Sequence, residues 1–379
     1  MTRARVLADF VGGTTTISGT PTFTGTVTGA GAGTASNLII NGAMQVAQRS
    51  ASTTVGDSAT YKTLDRFAIS INGTTAGRAT MSQATDAPSG FGNSMKFDVT
   101  TADTSIAADE AFGFAQRIEG QNLQQLAKGT SDAKVCTLSF YAKGTAKTYI
   151  VETRDANSRQ VSATFDVTTS WQRFEIEIPA DTTGTIANDN STELQIIWWL
   201  HAGSDYTSGT LNTSWATSTN ANRMVGCDSI FDSTSNELFI TGVQFELGET
   251  ATPFEHEGYG TTLRKCQRYF QKIESLGSVA AYNAFPYTGL SRTATIAKVS
   301  CGWITILRSA PTMTFSAASD FAVVNGSGSA KAVTAISVIR TNNNSGVVEF
   351  TATGLTAGQA TYLTTNNATD PAISVDAEL

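Results

Sequence analysis

Residues 16–28 alternate with a strict period of two. Every even position from Thr16 to Thr28 is Thr or Ser, and the odd positions run Ile17, Gly19, Pro21, Phe23, Gly25 and Val27. This pattern describes extended chain with one polar face and one inward face. The inward face carries only three sizeable apolar side chains, Pro21 cannot donate to a ladder, and Gly19 and Gly25 weaken one. A single copy has too little to bury. The segment is either a strand completed by other chains or a flexible Thr/Gly linker, and a linker needs no period.

The texture changes at Asn37. Runs such as KVCTLSFYAKG, TYIVETRD, VSATFDVT, RFEIEIP, LQIIWWLHAG and LFITGVQFELG are short, alternating or rich in β-branched and aromatic residues, and most are separated by turn-forming clusters. Many short strands at this spacing predict a jelly-roll β-sandwich over 37–258, with eight or more strands. NLQQLAKG (122–129) predicts a short helical turn ended by Gly129. GTTLRKCQRYFQKI (260–273) places Leu263, Cys266, Tyr269, Phe270 and Ile273 on one helical face and predicts a connecting helix within 259–275. A third region, 276–379, again reads as strands and predicts a small C-terminal β-sandwich. The fold class is therefore all-β: an N-terminal stalk strand within 1–36, a jelly roll, a short connecting helix and a C-terminal β-sandwich.

The 379 residues suffice for a real core. Charged residues make up only 15%, and 25 basic against 32 acidic residues give a net charge of −7. Without a Lys/Arg cluster there is no footprint for nucleic acid or an anionic membrane surface. The longest apolar run, IIWWL at 196–200, is far short of a bilayer span, so no membrane insertion is expected. The four cysteines, Cys136, Cys227, Cys266 and Cys301, show no CxxC pairing and read as structural thiols, although their even number leaves bridges open. With only His201 and His256 present, no metal-ligand spacing is visible in the sequence.

NLIINGAMQVAQRS with LDRF, QRIEGQNLQQLAKGT with VCTLSFYAKG, SWQRFEIEIPADTTGT, and FITGVQFELGETATPFEHEGYGTTLRKCQRYFQK together resemble bacteriophage tail fibre proteins over residues 37–273. The resemblance implies a virion tail appendage, generally homotrimeric, with a carbohydrate-binding-module-like jelly roll that recognises host surface polysaccharide. Three copies of the 16–28 strand would then share a thin core of Ile17, Phe23 and Val27. Arg3, Arg5, Leu7 and Phe10 would form an anchor on other tail or virion proteins, and a frayed terminus is the competing reading of that segment. The C-terminal domain would then lie furthest from the particle. Carbohydrate-binding jelly rolls often hold a structural calcium through carboxylate, amide and backbone oxygens. No compact ligand run assigns one here, and no other cofactor is implied.

The aromatic cluster is the ligand-shaped signal. Trp198 and Trp199 are adjacent, so on a strand they point to opposite faces. An outward Trp near Tyr206 and Trp215 would offer a stacking platform for sugar rings. Trp215 lies in the long polar segment 202–227 and is the leading single candidate. The plainer reading of each aromatic is core or subunit interface. Polysaccharide cleavage needs two opposed carboxylates, and Asp65, Glu175, Glu177, Glu193, Glu246 and Glu249 are the available acids. The acids of FEIEI alternate as on a solvated face, and no GxSxG motif occurs. Non-catalytic glycan binding by a trimer is the expectation. A structural virion adaptor is the first alternative and a depolymerase the second.

Overall fold

The computed structural model describes residues 37–274, 283–326, 328–368 and 370–379. The expected stalk residues Ile17, Phe23 and Val27 and anchor residues Arg3, Arg5, Leu7 and Phe10 lie outside this range.

The first twelve strands are β1 (Ser52–Val55), β2 (Ala68–Asn72), β3 (Arg78–Ala84), β4 (Ser94–Thr101), β5 (Ala111–Glu119), β6 (Cys136–Gly144), β7 (Lys147–Asp155), β8 (Arg159–Val167), β9 (Gln172–Ile178), β10 (Thr192–Ala202), β11 (Ala216–Thr217) and β12 (Glu237–Leu247). They form two six-stranded sheets, ordered β1-β3-β4-β12-β6-β9 and β11-β8-β7-β10-β5-β2. β12 enters between β4 and β6, and β10 between β5 and β7. That interleaving is the topology of a jelly roll.

Alternation along each strand builds the core. On β10, Leu194, Ile196, Trp198 and Leu200 face the opposite sheet, while Ile197 and Trp199 join a separate apolar cluster on the other face. Trp198 stacks on Phe114 at 5.0 Å and 4° and meets Phe140 edge-on at 5.8 Å. Gly113 lies opposite Trp199 in the β5–β10 pair, where a Cβ would stand 2.2 Å from the Trp198 carbonyl oxygen. A glycine within this strand permits that close backbone approach.

The second half contains β13 (Phe270–Glu274), β14 (Ala284–Ser291), β15 (Ile296–Gly302), β16 (Thr312–Phe315), β17 (Phe321–Asn325), β18 (Ala330–Thr341), β19 (Ser345–Ala352), β20 (Ala360–Thr365) and β21 (Ala372–Asp376). Six of these close as β14-β15-β19-β18-β17-β20, and β13-β21-β16 form a three-stranded sheet. The expected small sandwich thus has its edges joined into a barrel, because β20 pairs with both β14 and β17. Closure satisfies backbone groups that two open edges would leave unpaired. Val299, Phe321, Val348, Phe350 and Leu363 fill its interior together with Ile373 and Val375 from β21.

The connecting helix is shorter than its periodicity predicts. Beyond a single helical turn α1 (Ser204–Thr207), the helix α2 spans Tyr259–Gln267 and the chain turns at once into β13. Leu263 and Cys266 lie on the helix, but Phe270 and Ile273 pair with Asp376 and Ile373 of β21. A ladder to a strand about a hundred residues later overrides the local repeat. The turn expected at 122–129 is present as two 3₁₀ turns, Gly120–Asn122 and Gln124–Leu126.

Residues 37–379 form one compact unit. The end of β21 folds back onto the jelly roll. Arg49 pairs with Asp376 at 3.0 Å, Arg66 pairs with Glu378, and Tyr61 donates to the Leu379 carbonyl at 3.3 Å. Asn190 and Arg308 exchange hydrogen bonds of 2.7 and 2.9 Å across the same junction.

Candidate functional site

The four expected sugar-stacking aromatics do not form an open platform. Trp198 is fully enclosed between the sheets. Trp199 does leave on the opposite face, as adjacency requires, but it is only 2% exposed. The segment after β10 folds back over that face and brings Tyr206, 7% exposed, and Met224 against it. Arg223 places its guanidinium 5.2 Å from the Trp199 ring and 5.8 Å from Tyr206, and grips Glu152 with two hydrogen bonds of 2.9 Å. Trp199 Nε1 donates to the same carboxylate at 2.7 Å. The ring faces that a sugar would use are covered by the protein's own side chains.

Trp215 is half-buried and serves a different centre. Its Nε1 donates to the Pro179 carbonyl at 2.7 Å, and the Lys128 ammonium sits 4.4 Å from its ring. Beneath it Lys128 bridges Asp155 and Asp181, while Arg159 holds Asp181 through bonds of 2.7 and 2.9 Å. Burial would raise the Asp181 pKa, but Arg159, Lys128 and the Thr183 N–H hold it well below the usual carboxylate range. Trp215 therefore roofs a buried charge network, and the cation beneath its face accounts for an aromatic in so polar a segment.

The acids named from the sequence are dispersed. Glu175 and Glu177 are exposed on β9. Asp65 and Glu246 are buried and occupied, the first by Gln48 and the second by Thr252 and Gln244.

Open concave surface lies instead along α2. A hollow of about 750 Å³ is lined by Gly258, Thr261, Arg264, Lys265, Arg268 and Ile306. A second, of about 570 Å³, is lined by Asn37, Gln121, Asn122, Gln125, Lys265 and Arg268. The two share the Lys265 and Arg268 side chains. Arg268 forks onto Glu119 at 2.9 and 2.8 Å, and Lys265 pairs with Glu257. Arg264 is exposed and has no ion pair among the described residues, and Tyr259 at the helix start is 58% exposed. Burial would raise the Glu119 pKa, but the Arg268 fork and Tyr269 hold it below the ordinary range. The 3₁₀ turns supply three of the amides, so this surface follows from the same QNLQQLAKG segment that the sequence marks only as helical.

The fold and its surface define an all-β jelly roll joined to a small closed barrel. No protein-family model matches the sequence, and a search of curated proteins returns no match. Among solved structures the chain is similar to the enzymatically active domain of tailspike protein 4 from bacteriophage CBA120, at 13% identity and a TM-score of 0.30. That alignment covers 56% of this chain and 21% of the tailspike chain. A CBM4 carbohydrate-binding module aligns over 55% of this chain and 98% of its own, at 14% identity and a TM-score of 0.27. The family 11 module of the Clostridium thermocellum cellulase Lic26A-Cel5E aligns over 53% and 100%, at 15% identity and 0.27. The assignment of the fold rests on the strand order itself.

Proposed function

We propose that this chain is a non-catalytic bacteriophage tail-fibre protein that binds host surface glycan, trimerised through its 1–36 segment and attached by it to other virion proteins. The observation that carries the reading is the double hollow along α2, whose lining includes amide, guanidinium and ammonium groups. Three exposed amides and a guanidinium with no ion pair among the described residues line these hollows and offer donors and acceptors to a hydroxyl-rich ligand, and Tyr259 is exposed at the start of the same helix. Shallow sites of this kind gain from multiplicity, since three on one trimer raise avidity without any new contact. The exposed Arg264 guanidinium would favour glycans bearing a carboxylate or phosphate substituent.

A structural adaptor is the second reading. It is favoured by exposed apolar side chains on the barrel, Leu290, Val338, Ile339 and Tyr362, which suit packing against another protein.

The test is binding of the purified full chain to host cells and extracted surface polysaccharide, with mass from light scattering, beside a Gln121→Ala/Arg264→Ala variant. A trimer that binds, with affinity reduced roughly 10-fold or more in the variant, supports the reading. A trimer that binds no glycan moves the weight to the adaptor, and release of reducing ends moves it to a depolymerase.

A further inference from the structure

Asp103, Glu110 and His201 come from three separate places: the loop after β4, the residue before β5, and the end of β10. One carboxylate oxygen from each acid and one ring nitrogen lie within 4.8 Å of one another, and all three residues are buried. His201 is fully enclosed. Its Nδ1 is 2.8 Å from Ser229 Oγ, which leaves Nε2 aimed at the carboxylates. Nε2 has no hydrogen-bond partner among the described residues, and Glu110 Oε2 is 3.4 Å away. An ionic hydrogen bond would close to about 2.7–2.9 Å. Two ligands of a tetrahedral zinc ion with bonds of about 2.0–2.2 Å stand ~3.3–3.6 Å apart, the spacing of the His201–Glu110 pair, while the Asp103 oxygen lies farther out, within 4.8 Å of both.

The carboxylates are already fixed from behind. Asp103 accepts from Thr75 Oγ1 at 2.8 Å, from the Ala76 N–H at 2.9 Å and from the Ser105 N–H at 3.1 Å. Glu110 accepts from the Ala107 N–H at 3.1 Å. Asp103 Oδ2 takes both the Thr75 and Ala76 donors, whereas Asp103 Oδ1 and Glu110 Oε2 each accept one of these bonds and keep capacity for another, and backbone donors that orient ligating carboxylates are the usual support of a metal site. An imidazole nitrogen with two carboxylate oxygens is a donor set for a borderline divalent ion, whereas calcium takes oxygen ligands alone.

We propose that Asp103, Glu110 and His201 form a structural Zn²⁺ site. Its position gives it a task. His201 precedes the segment that covers Trp199 and Ser229 follows it, so an ion here clamps both ends of that cover to the β4–β5 connection. The inference is independent of the glycan reading.

The test uses the full chain after dialysis against a chelator. Zn²⁺ titrated by calorimetry is expected to bind at one high-affinity ion per chain and to raise the thermal midpoint, while Ca²⁺ at the same concentration does neither. Glu110→Gln is expected to weaken Zn²⁺ by more than ~100-fold, beyond the effect of losing only an outer partner. His256→Ala, which removes the other histidine, should leave binding unchanged. Should Glu110→Gln not fold, visible absorption of Co²⁺ bound to the native chain, abolished by competing Zn²⁺, gives the same answer. Absence of saturable Zn²⁺ binding and of a Co²⁺ spectrum in the native chain, or loss of binding in His256→Ala, would overturn the proposal.

Discussion

Arg66 of the jelly roll and Glu378 beyond the last strand form an ion pair in which both side chains are withdrawn from water. The guanidinium lies 3.5 Å from the Tyr269 ring and also donates to the Arg117 carbonyl at 2.7 Å. The pair thus binds the chain's last residues to the jelly roll at the point where α2 hands over to β13. Arg66→Met leaves the Glu378 carboxylate buried with Arg49 as its remaining cation, at 3.4 Å. The expected loss is about 3–5 kcal/mol, the usual cost of removing one partner of a buried pair. Urea unfolding measures it, and a loss below ~1 kcal/mol would show that the pair is solvated.

Trp215→Ala is expected to act on stability rather than on ligand binding. Removing the roof over Lys128 and the bond to Pro179 should cost roughly 2–4 kcal/mol, somewhat less than for a fully enclosed Trp. Affinity for surface polysaccharide should stay within ~2-fold, read in the same binding assay as the α2 variant.

Acid should loosen the jelly roll in a defined direction. Asp181 and Glu119 have folded pKa values below their ordinary ones, so each stabilises the fold at neutral pH and loses that contribution as pH falls below the ordinary carboxylate value of ~4 and through the lowered one. Urea midpoints between about pH 6 and pH 3 should decline, and Arg159→Leu should flatten the decline, since it removes a principal cause of the Asp181 shift. An unchanged slope in that variant would refute the assignment.

The cysteines should be silent in the native protein. All four are free; burial pushes the Cys136 and Cys301 thiols to about 12 and raises Cys227 and Cys266 as well. A thiol reagent at about pH 8 should label Cys136 and Cys301 only as fast as the protein unfolds, because the thiolate is the reactive form. Rapid labelling of either would contradict their placement.

The jelly roll was legible because its signal is local: alternation with turn residues survives in each strand whatever its neighbours do, and the opposed faces of Trp198 and Trp199 follow from it. What pairing decides was not legible. Phe270 and Ile273 carry a helical spacing, yet β21 draws them into a ladder, and edge closure of the barrel depends on β20 meeting both β14 and β17. The same limit applies to sites. Asp103, Glu110 and His201 share no motif, and Gln121 and Arg268 are brought beside one surface only by the fold. Trp215 is the instructive case: a large aromatic in a polar segment did need a reason, and the reason is Lys128.

The pairing of Glu274 with Ala372 has a consequence for how this chain can change over generations. The segment between them, which contains the whole barrel, departs and returns through directly opposed residues, separated by about the 4.5–5.5 Å of one antiparallel step. Topologically the barrel is an insertion at the tip of a hairpin. A recombination event that exchanged 275–371 for another self-closing module with neighbouring ends would keep the β13–β21 ladder and the Arg66–Glu378 clasp in register. The jelly roll and the α2 and 3₁₀-turn residues of its surface can therefore persist while the barrel, with β16 and the Ile306 wall of the hollow, is replaced as a cassette.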